Sequence, residues 1–175
     1  GYKVAVEFEN KELKIEPYFL GLWLGDGAKS KVSIYTKDKE VVDYLEDYSK
    51  KLGLELRKYI FENRCPEYSI TNKKQVDGKT VFSLQKLLRD ENILGNKHIP
   101  NNYLINSTKN RLELLAGLID SDGHYDKKVN GYEITLKDED LAQQVKYLCD
   151  TLGFRTSIKS KIAKIKKINY EVEVF

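Results

Sequence analysis

Apolar residues crowd into two runs, Tyr18 to Leu24 and Leu112 to Ile119. Each is long enough for two turns of buried helix, and each leads into an Asp-Gly pair. The pattern then switches to alternation, Val32 to Thr36 and Tyr132 to Leu136, which predicts a strand after each run. A helical period follows. Val41, Tyr44, Leu45, Tyr48 and Leu52 fall on one face, as do Leu141, Val145, Leu148 and Leu152. Asp38 and Asp138 stand where N-caps are wanted, and Gly53 and Gly153 where a helix stops. Two more strands are expected after each helix: Leu54 to Phe61 and Tyr68 to Thr71, then Arg155 to Ile162 and Ile168 to Phe175. A helix over Val81 to Asp90 closes the first series. The second stops at Phe175, so its closing helix is expected to be absent from this chain.

The two series are one unit written twice. Gly21-Leu22-Trp23-Leu24-Gly25-Asp26-Gly27 reads against Gly117-Leu118-Ile119-Asp120-Ser121-Asp122-Gly123. Val32 to Asp38 reads against Tyr132 to Asp138, and Leu52-Gly53-Leu54 against Leu152-Gly153-Phe154. The copies lie 96 residues apart at the first block (21 and 117) and 100 apart at the later two, so four residues were added after the second motif. Three matches in one order imply a duplication and a pseudo-twofold. The expectation is an α+β fold of two related repeats, residues 17–107 and 108–175, joined by a linker over Asn101 to Thr108. Residues 1–16 match neither copy. Tyr2, Val4, Val6 and Phe8 alternate with Lys3, Ala5, Glu7 and Glu9, which predicts a strand or a linker belonging to a neighbouring splicing domain.

Composition narrows the class. The 175 residues are 41% hydrophobic and 33% charged, which suits a packed core and not a disordered chain. No apolar stretch is long enough for a membrane span, no secretory leader opens the chain, and no membrane partner is expected. Two cysteines and two histidines exclude a disulfide scaffold and a zinc-binding spacing. An intracellular setting is expected, nucleus or cytoplasm according to the host. The absence of Met is expected of a segment excised from a longer protein. The net charge is only +3, but Arg155, Lys159, Lys161, Lys164, Lys166 and Lys167 crowd the final stretch, the footprint of a polyanion partner.

Gly21 and Gly25, like Gly117 and Ser121, lie one turn apart on one helix face, where small residues let two backbones approach closely. Packing the two motif helices together brings Asp26 and Asp122 side by side at their ends. Two adjacent carboxylates do not stay ionised cheaply without a cation. With a phosphate they make a plausible Mg²⁺ site for phosphodiester hydrolysis. A single Asp-Gly would be only a helix-ending turn; its recurrence in both copies argues for chemistry.

Leu115-Ala116-Gly117-Leu118-Ile119-Asp120-Ser121-Asp122-Gly123 resembles the defining motif of the LAGLIDADG homing endonucleases, with Ser in place of the motif's second Ala. Phe19 to Gly27 resembles its degenerate first copy, and Pro17 to Gly27 is similar to the endonuclease domains carried inside inteins. The resemblance covers about residues 17–175. It implies two αββαββα repeats, a saddle of antiparallel strands lying on double-stranded DNA, and a long asymmetric target cut by a monomer. It also implies that Asp26 and Asp122 bind Mg²⁺, or another divalent cation such as Mn²⁺, together with the scissile phosphates. Asp120 faces Leu24 in the other copy, an asymmetry that suits packing or capping. Asn96-Lys97-His98-Ile99-Pro100 resembles the segment that supplies an active-site lysine, which makes Lys97 the third catalytic candidate. No second basic residue can be assigned. With neither a nucleophile at position 1 nor a His-Asn ending, the chain is not expected to splice itself; a splicing domain in the parent chain is the implied partner.

Alternation selects a DNA-facing side. Arg155, Ser157, Lys159 and Lys161 share one side of their strand; Ser33, Tyr35, Arg57, Tyr59, Ser69 and Thr71 are the first copy's set, and Thr135 and Lys137 complete the second. Glu133 joins Thr135 and Lys137 in the second copy's set; Asn169, Glu171 and Glu173 share a face by the same logic, where the two acids fit phosphate poorly. His98 and His124 read as loop residues, Cys65 as a turn position and Cys149 as core. The expected function is a site-specific, metal-dependent DNA endonuclease. The alternatives are a decayed DNA-binding remnant, an RNA-binding maturase-like module and a purely structural insert, which salt-sensitive binding separates.

Overall fold

The computed structural model describes residues 4–72, 82–165 and 170–174. In chain order the elements are α1 (Pro17–Asp26), β1 (Ser33–Tyr35), α2 (Lys39–Lys51), β2 (Glu55–Tyr59), β3 (Glu67–Thr71), α3 (Leu84–Asp90), α4 (Asn101–Leu104), α5 (Thr108–Asp122), β4 (Gly123–Asp126), β5 (Gly131–Ile134), α6 (Glu139–Thr151), β6 (Lys161–Ile165) and β7 (Tyr170–Val174).

α1 opens on Pro17, whose missing N–H costs nothing at a helix start. It is buried nearly all round, through Phe19, Leu20, Leu22, Trp23 and Leu24. α5 lies beside it and presents Leu114, Leu115, Gly117 and Leu118 to the core. The approach is close because of glycine. A Cβ on Gly21 would strike the Leu114 carbonyl oxygen and lie 2.8 Å from Leu118 N. A Cβ on Gly117 would strike the Tyr18 carbonyl oxygen and lie 2.9 Å from Leu22 N. The two clashes mirror one another, the geometric signature of a pseudo-twofold between the copies.

α2 and α6 are the repeat's second helices, capped as the sequence predicts. Asp38 accepts from Glu40 N at 2.8 Å and Asp138 from Leu141 N at 3.0 Å. Gly53 (φ +69°) and Gly153 (φ +87°) take the left-handed conformation just beyond each helix. β1, β3 and β2 form an antiparallel sheet with β3 central. Ile34, Tyr68 and Ile70 on one face are buried in the core.

Several expectations need correction. The strand predicted over Tyr2 to Phe8 does not form among the described residues; 4–16 carry no helix or strand. They run as a strap across the start of α5 and the end of α6. Val6 N donates to Thr151 O at 2.8 Å, and the buried Arg111 donates to Val6 O, Asn106 O, Thr151 Oγ1 and Thr108 Oγ1. The linker between copies contains α4, held by Tyr103, whose hydroxyl donates to Ile15 O and accepts from Ile15 N. The strand predicted from Arg155 starts only at Lys161, and the one predicted to Leu136 ends at Ile134. The helix predicted from Val81 begins at Leu84; Val81, Ile168, Asn169 and Phe175 lie outside the described residues.

The four inserted residues also have a structural account. In the first copy Gly27 makes an isolated bridge to Ile34. In the second, the equivalent Gly123 pairs with Ile134 and opens a four-residue ladder to Asp126–Gly131. The insertion therefore lengthens a single bridge into the β4–β5 hairpin. His124, expected in a loop, lies in β4.

Candidate active site and nucleic-acid interface

Asp26 and Asp122 are the last residues of α1 and α5, delivered to the same end of the helix pair. They are close. A Cβ on Gly25 would lie 3.1 Å from Asp122 Oδ2 and collide with the Ser121 side chain. Ser121 keeps its own hydroxyl inside the helix, donating to Gly117 O at 2.9 Å. Both carboxyls are half-buried. Burial first, then the Asp122 carboxylate, pushes Asp26 up to about 6, against the pull of Lys97. Burial raises Asp122 as well, again opposed by Lys97.

Lys97 reaches this end of the helices from the segment after α3. Its ammonium donates to Leu24 O and Gly25 O, both at 3.0 Å, and stands 5.3 Å from the centroid of the Trp23 ring. Burial drives Lys97 down to about 8, although both carboxylates act to raise it. The segment is tied on both sides. Gly95 N donates to Lys29 O at 2.8 Å. Ile99 N donates to Gln144 Oε1 at 2.8 Å, and Gln144 Nε2 returns a bond to Ile99 O at 3.2 Å. Gln144 was not among the sequence candidates. The signal was present: it stands three residues after Leu141 and four before Leu148, a polar residue inside the apolar stripe of α6.

Asp120 takes the packing position expected of it, accepting from Tyr18 Oη at 2.7 Å across the helix pair. Among the described residues no cluster of three or more His, Cys, Asp or Glu side chains could enclose a metal. The donors present are two crowded carboxylates and helix-end carbonyls that already face a cationic group. That set fits a hard, oxygen-seeking cation that keeps much of its water, such as Mg²⁺ or Mn²⁺.

The expected DNA face of the first copy is assembled as alternation requires. Ser33 and Arg57 both register with Ser69, Tyr35 and Tyr59 both with Glu67, and Thr71 with Glu55, so these side chains share the face turned away from the core. Their accessibility differs. Tyr59 is exposed, Arg57, Tyr35 and Thr71 are half-buried, and Ser33 and Ser69 are buried; Ser69 donates to Val32 O at 3.3 Å. Thr71 Oγ1 is buried without a hydrogen-bond partner among the described residues. At the centre lies Glu67, which sequence reading did not select. It is buried, and Lys31 Nζ stands 2.5 Å from its Oε1. Burial works against the charge, but the ammonium outweighs it and holds the carboxyl below its ordinary value.

In the second copy the candidates are exposed but do not share one strand. Arg155, Ser157 and Lys159 precede β6, while Thr135 and Lys137 follow β5. Lys161 Nζ lies 2.8 Å from Glu133 Oε1, so two of the second copy's face residues pair with one another. No helix among the described residues is long and apolar enough to cross a membrane.

Residues 109–174 match the model of the LAGLIDADG-like domain. The replicative DNA helicase DnaB of Mycobacterium intracellulare is 32% identical over 157 residues, which is 90% of this chain; the chain spans 22% of that relative's length. Among solved structures, mesophilic variants of the homing endonuclease I-DmoI superpose with a TM-score of 0.53 at 18% identity, covering 91% of this chain and 85% of theirs. I-DmoI in complex with DNA and Ca gives 0.51 at 18%, covering 91% and 80%. I-DmoI in complex with DNA and Mn gives 0.53 at 16%, covering 91% and 86%. Residues 109–174 thus match a LAGLIDADG-like domain, and the chain has the fold of the homing endonuclease I-DmoI.

Proposed function

We propose that this chain is a site-specific endonuclease module that binds double-stranded DNA and hydrolyses a phosphodiester bond in each strand. One observation carries the reading: the two motif helices deliver Asp26 and Asp122 to one half-buried point, where burial raises both carboxyls and the Asp122 carboxylate raises Asp26 further. That arrangement costs stability in the free chain and has an evident use only if a cation and phosphates arrive.

In this reading Asp26 and Asp122 hold one or more divalent cations, Mg²⁺ or Mn²⁺. Such an ion, when bound, supplies Lewis-acid activation of water and stabilises the leaving oxygen. The I-DmoI complexes with DNA and with Mn or Ca support a divalent cation and a DNA ligand here. Lys97, tied by Gln144 and Lys29, places a positive charge at the edge of the site, where it can steady phosphate charge. Exposed or half-buried Tyr59, Arg57 and Tyr35, then Arg155, Lys159 and Lys161, line the path for the duplex, phosphate contacts setting the register and base-edge contacts the sequence. Two unlike halves in one chain suit an asymmetric target and a monomer.

The helicase relative supports a second element of the reading. A segment of this kind occupies about a fifth of a protein named for another activity, as expected of an intein endonuclease carried within a host polypeptide beside its splicing domain. The test is cleavage of a plasmid bearing the host-gene junction formed when the insert is removed, with Mg²⁺ and with EDTA. A double-strand cut at the junction with Mg²⁺ alone supports the module as an enzyme. Tight, salt-sensitive binding with no cut under either condition would instead make it a binding remnant.

A further inference from the structure

Lys97 makes contacts that a catalytic lysine need not make. Its ammonium does not simply approach the two carboxylates. It is seated on the last carbonyls of α1, Leu24 O and Gly25 O, with two bonds of 3.0 Å. Those carbonyls immediately precede Asp26, so they open onto the space into which Asp26 and Asp122 converge. The free C-terminal carbonyls of a helix attract any cation. The seat has walls on other sides as well: the Trp23 ring, 5.3 Å from Nζ, and a segment pinned by Lys29 and Gln144.

We propose that Lys97 is a built-in counter-cation of the Asp26 and Asp122 site, and that it must leave the Leu24 and Gly25 carbonyls when a divalent cation binds. Metal affinity is then set partly by the lysine that the ion displaces. The ammonium offsets part of the negative charge of the two carboxyls, and a divalent ion enters only when it outcompetes the ammonium. Lys97 is in this respect a positioning residue that tunes occupancy, separate from any contact with phosphate. The inference rests on the reading of Asp26 and Asp122 as the cation site.

The chain carries its own reporter, because Trp23 is its only tryptophan. The experiment titrates Ca²⁺ into the DNA-free full chain, following heat by calorimetry and emission from Trp23, for the parent, Lys97→Met, Lys97→Arg and Asp122→Asn. Removing a like charge a few ångströms from the ion is expected to tighten Ca²⁺ binding roughly tenfold in Lys97→Met. The parent's Trp23 emission is expected to change on binding, because the ammonium leaves the ring, and to stay unchanged in Lys97→Met although calorimetry still shows binding. Lys97→Arg, which keeps the charge, is expected to stay near the parent's affinity. Equal or weaker binding in Lys97→Met, or the same emission change as in the parent, overturns the displacement while leaving the cation site standing. Undiminished Ca²⁺ binding in Asp122→Asn overturns the site itself, and the displacement with it. Circular dichroism of each variant identifies one that has failed to fold; in that case Lys97→Gln, which keeps polarity and nearly the same length, gives the affinity comparison.

Discussion

Asp26 holds its proton more tightly in the fold than in the unfolded chain, about 6 against an ordinary 3.8. Between those two values the unfolded state has released the proton and the folded state has not. Metal-free stability is therefore lost as pH rises through this window, and the penalty is fully present above about 6. Asp26→Asn removes it. In EDTA the variant should melt higher than the parent, with the gap opening from pH 4 to pH 6 and constant beyond; a gap that narrows over that range contradicts the assignment. The same residue shows what a single side chain reveals in sequence. Asp26 and Asp122 stand out as candidates because a duplicated motif fixes their positions, and Lys97 only because Asn96 to Pro100 resembles a family segment. The seat of Lys97 could not, since backbone carbonyls leave no trace in composition and Trp23 looks like any other core aromatic. Ser33 and Ser69 show the converse limit: alternation gives the face a residue is on, but not whether its neighbours bury it.

Helix packing at the centre of the fold depends on atoms that are missing. A methyl group on Gly21 must displace the Leu114 carbonyl, which is backbone and cannot rotate away. Gly21→Ala is expected to cost about 3 kcal/mol in urea unfolding, while Gly131→Ala, with nothing closer than Val129 at 3.9 Å, should cost well under 1 kcal/mol. Equal effects would mean that the helices do not touch as described. Arg111 makes a comparable argument for the strap. It lies fully buried, bonded to acceptors in three segments, with its guanidinium carbon 4.8 Å from the Phe8 ring centroid. Arg111→Met leaves those acceptors unpaired and should cost about 3 kcal/mol, with loss of hydrogen-exchange protection at Val6 before any loss in α1. Simultaneous loss at both places would show that the strap is not a separate unit. Arg111 falls on the same helix face as Leu114, Leu115 and Leu118, so a charge in an apolar stripe was the available clue. The helices and caps were legible because period and capping are local. The start of β6 and the strap were not, because a strand forms only where a partner edge exists, and alternation says nothing about the partner.

Across the whole molecule, the two halves share the order of motif helix, strand and second helix, but neither strand pairing nor surface. The first presents Arg57 with Tyr35 and Tyr59 on one sheet face; the second presents exposed Arg155, Lys159, Lys161, Thr135 and Lys137. If Arg57, Lys137, Arg155, Lys159 and Lys161 each meet a phosphate, log affinity for duplex DNA should fall with log salt at a slope of roughly −4 to −5. Lys159→Gln should flatten that slope by about one unit, and an unchanged slope would place the residue off the interface. The twofold was legible from three ordered matches in the sequence, and the four-residue offset is the extra length of the Gly123–Ile134 hairpin over the first copy's Gly27–Ile34 connection. The division of the second half into separate ladders, β4 with β5 and β6 with β7, had no signal in the sequence, because pairing between distant strands depends on contacts that composition does not encode.

The central claim is that Asp26 and Asp122 form one metal-dependent cleavage centre. Its most direct test is single-turnover cutting of the junction duplex with Mg²⁺ by the parent, Asp26→Asn and Asp122→Asn, with DNA affinity measured in parallel in Ca²⁺. Each substitution should lower the double-strand cutting rate by at least roughly 10³-fold while leaving the folded chain bound to DNA. Cutting at the parent's rate in either variant would contradict the claim.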